Sequence, residues 1–364
     1  MKLSQIGELP LLEQIRKRFK KLPPHVLIGI GDDAALIKLE NENLLVTTDM
    51  MVEGVHFDLS FMTPCQLGFK LVSVNVSDIY AMGGEPKFIL LTLAMNKSTD
   101  KKVFDSFFEG VQKAMSLYGL SLVGGDISAS RKGIIVSATV LGYATKYVKR
   151  SGARIGDKIY VTANLGDSAC GLELLKKIKK PVPIENSKEQ RAKSKVSKDV
   201  VKKQRVKSKW YENFCSTLYA LRSMLAKGKL SLDDVEPLLR RHLMPVARNP
   251  KKFVSNATSM IDISDGLLID LSRICDESKV GAKIYAKNIP LSSELKRVSS
   301  CLGISPMKLA LSGGEDYELL FTAPADKKIN AIYIGDIIKS ERTIVDITGR
   351  EKTFSSKGYQ HFGP

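Results

Sequence analysis

The sequence predicts two α/β domains in tandem, and three observations carry that reading. At 364 residues the chain has material for about two domains with cores of their own. Hydrophobic residues make up 43% of it and mean hydropathy is close to zero, a balance that suits a packed interior under a polar surface. Segments of strand period alternate with segments of helix period on both sides of a break at Lys149-Arg150-Ser151-Gly152-Ala153, so the domains are expected at 1–150 and 151–364. No apolar run approaches the roughly 20 residues of a membrane span. The N-terminal residues lack the apolar core of a signal peptide. Five scattered cysteines show no Cys-x-x-Cys pair, so reduced thiols and a cytoplasmic location are expected.

Residues 3–20 carry Leu3, Ile6, Leu11, Leu12, Ile15 and Phe19 at helical spacing. An apolar run over 26–30 then enters Gly29-Ile30-Gly31-Asp32-Asp33-Ala34-Ala35, and a second over 34–37 leaves it. Adjacent carboxylates between buried segments are costly to desolvate unless something positive meets them. The glycines let backbone come close to a ligand. A metal-bearing phosphate satisfies both conditions. A solvated turn is one competing reading; a Rossmann Gly-x-Gly-x-x-Ala is another, although two acids there would repel a bare pyrophosphate. A strand over 43–48 ends at Asp49, with the Thr47 and Thr48 hydroxyls beside its carboxylate as oxygen donors. Glu53-Gly54-Val55-His56-Phe57 follows. A helix over 64–82 carries Asn75-Val76-Ser77-Asp78 and sets Asp78 among apolar neighbours, where an acid needs a partner. After it come a strand over 88–95, an amphipathic helix over 101–118, a strand over 121–123 leading into Gly124-Gly125-Asp126, and a strand over 133–143.

The second half opens with a strand over 158–162, the turn Leu165-Gly166-Asp167 and a helix from Ser168. That helix runs into a basic tract. Positions 176–209 hold 14 basic and 3 acidic residues, +11 of the chain's net +17, so the charge is local rather than a property of the whole surface. The middle of the tract reads as disordered or as a solvated helix. Helical periodicity returns over 210–225, and Ser231-Leu232-Asp233-Asp234 has the form of a helix N-cap. Met260-Ile261-Asp262-Ile263-Ser264-Asp265-Gly266-Leu267 is a strand turning into a helix over 267–275. Leu311-Ser312-Gly313-Gly314-Glu315-Asp316-Tyr317-Glu318-Leu319 is another Gly-Gly-acid element before a strand, and the tail carries Tyr359.

Asp32, Asp49, Asp78, Asp126, Asp262 and Asp265 thus each lie at a strand end, a glycine turn or an apolar helix face. One such acid says little; six argue for a shared cluster. No Cys/His group has zinc spacing, so the expected metal is Mg²⁺, a hard ion that prefers oxygen. Neither a P-loop nor a protein-kinase His-Arg-Asp or Asp-Phe-Gly occurs. An acid cluster holding several Mg²⁺ ions points to ATP phosphates or to a nucleic-acid backbone.

At these residues the chain resembles a known family. Gly31-Asp32-Asp33-Ala34, Thr47-Thr48-Asp49, Glu53-Gly54-Val55-His56-Phe57, Asn75-Val76-Ser77-Asp78, Gly124-Gly125-Asp126, Asp262-Ile263-Ser264-Asp265-Gly266-Leu267 and Ser312-Gly313-Gly314-Glu315-Asp316-Tyr317-Glu318-Leu319 are similar, in order, to the thiamine-monophosphate kinases of the aminoimidazole-ribotide-synthetase superfamily. The resemblance implies two α/β domains, with mixed sheets flanked by helices, and a homodimer whose first-domain sheets form a barrel. It implies ATP-dependent phosphorylation of thiamine monophosphate. Carried over by motif, Asp32, Thr47, Thr48, Asp49, Asp78, Asp126, Asp262 and Asp265 would hold Mg²⁺. Gly125, Asp126, Arg150 and Ser264, with Tyr118 near the adenosine, would hold ATP. His56, Glu315 and Tyr359 would meet the thiamine substrate. Asp78, Asp126 and Asp265 would be the catalytic acids. The basic tract with its continuation, about 177–229, departs from the family as an insertion, and Met244 stands where the family often has a basic residue.

The implied reaction needs no base, because the attacking phosphate oxygen is already ionised at neutral pH. Its problem is repulsion between two polyanions, which metal ions and positioning relieve. Two other readings stand beside it. One is another ATP-dependent enzyme of the superfamily, making an imidate or amide. The other is a nucleic-acid-binding protein using the basic tract, by salt-dependent attraction to acidic partners, without aromatics for base stacking until Trp210.

Overall fold

The computed structural model describes residues 10, 13, 15–17, 23–40, 42–178 and 230–354. The expected helix over 3–20 lies mostly outside them. Tyr359, nearly all of the basic tract and the helix expected over 210–225 lie wholly outside.

Six strands form the first sheet: β1 (Val26–Ile28), β2 (Ala35–Lys38), β3 (Asn43–Val52), β4 (Glu85–Asn96), β5 (Ser121–Ser130) and β6 (Ile135–Ala144), in the order β1-β2-β3-β6-β4-β5. All pairs are antiparallel except β4–β5. A parallel pair needs a crossover, and the helix α2 (Lys101–Tyr118) supplies it. Asp100 caps the start of α2 by accepting from the Lys102 N–H, and Gly119 ends it in the left-handed conformation. Helix α1 (Pro64–Ala81) begins with a reciprocal Thr63/Gln66 capping box and Pro64 in its first turn. It lies on β3 and β6 and crosses α2. A Cβ at Gly68 would stand 2.1 Å from the Phe107 carbonyl oxygen, and one at Gly110 only 1.8 Å from that of Cys65. The two helices therefore touch backbone to backbone.

Two strands run further than their sequence suggests. β3 continues through Asp49 to Val52, because Met50, Met51 and Val52 pair with Ser137, Val136 and Ile135 of β6. β5 continues through Gly124-Gly125-Asp126, so Asp126 is mid-strand opposite Thr92 rather than at a strand end. The glycine signals close approach, not a turn: a Cβ at Gly125 would meet the Leu91 carbonyl oxygen at 1.9 Å.

The second sheet holds β7 (Lys158–Val161), β8 (Ser259–Asp262), β9 (Gly281–Tyr285), β10 (Leu319–Ala323), β11 (Ile332–Ile338), β12 (Arg342–Val345) and β13 (Glu351–Thr353), ordered β13-β12-β9-β11-β7-β10-β8. Only β9–β12 is parallel. Helix α5 (Leu267–Ser278) buries Leu267, Leu271 and Ile274 against Ile261, Ile284 and Leu320 of this sheet. Helices α3 (Asp167–Ile178), α4 (Leu232–Leu243) and α6 (Ser293–Leu302) instead share one apolar cluster with α1 and α2. Ser231 and Asp234 form the expected N-cap as a capping box on α4. The short α7 (Pro306–Ser312) completes the set. Among the described residues no helix is long and apolar enough to cross a membrane.

Because α1 and α2 touch through glycine, Gly110→Ala is expected to lower stability by about 3 kcal/mol. The exposed Ser116→Ala on the same helix should stay within about 0.5 kcal/mol. Scanning calorimetry of both variants checks this; equal melting points would refute the close crossing.

Candidate active site

Between the two sheets opens a cleft of about 1680 Å³, well above the several hundred Å³ of a one-ligand pocket. Its floor is acidic. Asp33 from the loop before β2, Asp78 from α1 and Asp262 from the end of β8 each offer an oxygen, and these oxygens lie within 4.8 Å of one another. Hydroxyls orient two of them: Thr47 Oγ1 donates to Asp78 Oδ2 at 2.7 Å, and Ser77 Oγ donates to Asp262 Oδ2 at 2.6 Å. Arg150 holds the third through a two-pronged fork, Nε to Asp33 Oδ2 at 3.1 Å and Nη2 to Asp33 Oδ1 at 2.7 Å. Its backbone N–H also donates to both Asp32 oxygens at 3.3 Å.

The electrostatics follow from burial and crowding. Burial raises the Asp78 carboxyl well above the aspartate range, and the charges of Asp49, Asp262 and Asp33 add to it. Asp262 is raised by burial and by Asp33. Asp32 is pushed up to about 7 by burial and Asp33, against the pull of Arg150. Carboxylates so destabilised as anions, with oxygen as the only donor type, suit a hard divalent cation. The fit to Mg²⁺ rests on that donor set.

Other expected residues line the same cleft. Asp49, His56, Ser264, Asp265 and Glu315 all line it, and Thr48 borders it with its hydroxyl donating to the Ala138 carbonyl at 3.0 Å. The Asp49 N–H donates to Asn75 Oδ1, and His56 Nδ1 accepts from the Val52 N–H at 3.0 Å. Asp265 is bound by Arg273 at 2.6 Å. Asp270 accepts from the N–H groups of Ser264, Asp265 and Gly266 at 3.0 to 3.2 Å, which fixes their loop. Glu315 lies 2.9 Å from Lys70 Nζ and 3.0 Å from His242 Nδ1. Burial raises its carboxyl, but Lys70 and His242 more than reverse this and hold it far below the glutamate range.

Three expected residues stand apart. Gly125 and Asp126 sit on β5, separated from Asp49 in β3 by β6 and β4. At about 4.8 Å per strand that is roughly 14 Å, too far for one ion within a single chain. Tyr118 is not in the cleft: its hydroxyl donates to Ser73 Oγ and accepts from the Ala247 N–H, both at 3.0 Å. Burial pushes it up to about 12. Sequence reading singled out the Asp32-Asp33 pair but assigned only Asp32 to the metal, and it passed over Lys70, His242, Asp270 and Arg273. Lys70 left a legible signal, since it lies three residues after Leu67 and four before Val74, on the apolar face of its helix.

Comparison with known proteins matches this arrangement to a family. The family model "AIR synthase related protein, N-terminal domain" matches residues 31–144, and its C-terminal counterpart matches 212–345. A thiamine-monophosphate kinase of Aquifex aeolicus (strain VF5) is 34% identical over 367 residues, covering 100% of both chains. The chain belongs to the thiamine-monophosphate kinase family. A family member from Escherichia coli (strain K12) is 30% identical over 98% of both chains. A solved structure of the family, described as AaThiL complexed with AMPPCP and TMP, covers 99% of each chain at 31% identity, with a TM-score of 0.77.

Carboxyls raised in the folded state bind more protons there than in the unfolded chain. For Asp32 the stability contribution is present below the ordinary aspartate value near 4 and is lost as pH rises through the folded value of about 7. In chelator-treated protein, Asp32→Asn should therefore gain in melting temperature relative to the parent as pH rises across that window. Millimolar Mg²⁺ should raise the parent more than the variant. A difference that is flat in pH would refute the crowding.

Proposed function

We propose that this chain transfers the γ-phosphoryl group of ATP to the phosphate of thiamine monophosphate, giving thiamine diphosphate. One observation carries the reading: three crowded carboxylates and an arginine fork on the floor of a cleft wide enough for two ligands, in a chain 34% identical end to end to a thiamine-monophosphate kinase.

Asp33, Asp78 and Asp262, with Asp32, Thr47, Thr48, Asp49 and Asp265 around them, would hold Mg²⁺, which when bound neutralises phosphate charge on both substrates. The chain's own part is to place two anions in line and to exclude wrong geometries. Arg150 offers its guanidinium, already aligned by Asp33, to a phosphate. Ser264 is proposed to meet ATP. His56 and Glu315 are proposed to face the thiamine moiety, with Tyr359 as a further contact. The catalytic acids would be Asp78 and Asp265 from one chain and Asp126.

Asp126 fits this scheme through a second copy. The face of the first sheet turned away from α1 and α2 is apolar and open at Phe88 and Leu90, and the edge strand β5 exposes Leu122 (44%), Val123 (56%) and Ile127 (64%). A homodimer closing these faces into one barrel would cover them and carry Asp126 and Gly125 toward a partner's cleft. The same reading takes the domains as 1–150 and 151–364, joined at Arg150, the tract at about 177–229 as an insertion open to acidic partners, and the cytoplasm as the location.

The decisive assay couples ATP and thiamine monophosphate, with aminoimidazole precursors in parallel. ATP-dependent turnover of the aminoimidazole precursors alone, with no phosphorylation of thiamine monophosphate, would overturn the proposal. Asp78→Asn and Asp262→Asn are each expected to cut turnover by about 10³-fold or more with circular dichroism unchanged; parent-like rates in both would remove the metal assignment. Ile127→Asp should convert a species of twice 40.1 kDa into a monomer by light scattering, with turnover down about tenfold or more. A parent that is itself monomeric and fully active would refute the dimer.

A further inference from the structure

Lys70 is wholly buried in the middle of α1, a position where a cation is expensive and an apolar side chain of similar size would pack as well or better. Its ammonium lies 2.9 Å from Glu315 Oε1. The other oxygen of that carboxylate, Oε2, lies 3.0 Å from Nδ1 of His242, which is buried on α4. Ser168 Oγ stands 3.1 Å from the same nitrogen. Burial and the nearby Lys70 lower the imidazole below its ordinary value. Nδ1 is the nitrogen that faces the carboxylate, so a proton carried there is the one that can be donated to Glu315. Glu315 itself adopts a left-handed backbone, φ 64°, as does Tyr317 at 49°, a conformation a non-glycine residue holds only when its surroundings require it. A pair that served packing alone could be enclosed completely. Here the carboxylate still opens on the cleft beside Tyr317.

We infer that Lys70 and His242 are positioning residues that grip one oxygen each of Glu315 and present it, as an anion in a fixed orientation, to the positively charged ring system of the substrate. The inference deepens the proposed function and rests on it. Neither side chain touches the transferring phosphate. Their loss should therefore weaken binding of the cationic substrate and spare ATP.

His242→Leu is expected to raise KM for thiamine monophosphate about tenfold or more, with KM for ATP and kcat within about threefold. Asparagine and glutamine separate positioning from bulk. The amide nitrogen of His242→Asn falls near Nδ1 and should restore the parent KM, whereas that of His242→Gln falls near Nε2 and should not. Lys70→Met should act on KM as His242→Leu does; where it fails to fold, the Asn and Gln pair decides alone. An unchanged KM for thiamine monophosphate in His242→Leu, equal rescue by Asn and Gln, or a parallel loss for both substrates would overturn the inference while leaving the proposed function standing. A parent that does not phosphorylate thiamine monophosphate would remove both.

Discussion

Three carboxylate oxygens of Asp33, Asp78 and Asp262 meet within 4.8 Å, and mutual repulsion in a poorly solvated place is the constraint the rest of the structure answers. The answers come from separate elements. Arg150 reaches in from the junction after β6, Thr47 from β3, and Ser77 from the same turn of α1 as Asp78. Ser77 binds Asp262 at the end of β8, so the bond that steadies a site carboxylate also ties α1 to the second sheet. Removing the Ser77 hydroxyl would leave a buried carboxyl short of a donor, at a cost of about 1–3 kcal/mol. Site and fold therefore share their supports.

Helix α1 carries most of that burden. Asn75 holds the β3 backbone at Asp49, Ser77 holds Asp262, Asp78 enters the acidic floor, and Lys70, two turns earlier, reaches Glu315. Such a helix cannot slide or rotate by much without spoiling four contacts. Its backbone contact with α2 at Gly68 and Gly110 locks it against the sheet, because protein interiors yield little to overpacking. The segment after α7 shows the same economy. Glu315 faces the cleft. Asp316 accepts from the N–H groups of Gly166 and Ser168 at the start of α3, where orphan donors need an acceptor. Glu318 takes Arg241, Arg248 and Thr162.

Much of this was legible because local chemistry and tertiary role coincide. Pro64, Asp100, Gly119 and Ser231 mark helix ends by rules that need no partner, and the apolar surroundings of Asp78 and Asp262 announce acids in need of company. Legibility failed where the deciding atom lies far off in sequence. Gly124-Gly125 looks like a turn, yet the Leu91 carbonyl 34 residues earlier makes it the middle of a strand. Asp32 and Asp33 are equivalent in sequence; only the reach of Arg150 separates them. The exposed face of β5 has no counterpart in any local pattern, since alternation cannot tell solvent from a second copy of the chain.

The acids of this chain therefore divide by what reaches them rather than by their motifs. Asp270, Asp316 and Glu318 are buried and bound by backbone N–H groups or arginines, so they are committed inside the protein, although burial still pushes Asp270 and Asp316 up to about 7. Asp33, Asp78 and Asp262 share hydroxyls and one guanidinium among three carboxylates, which leaves an excess of negative charge directed at the cleft. That excess costs stability in the metal-free chain, and the cost would be recovered on binding a divalent cation. A site that was electrostatically satisfied when empty would have less to gain from the ion.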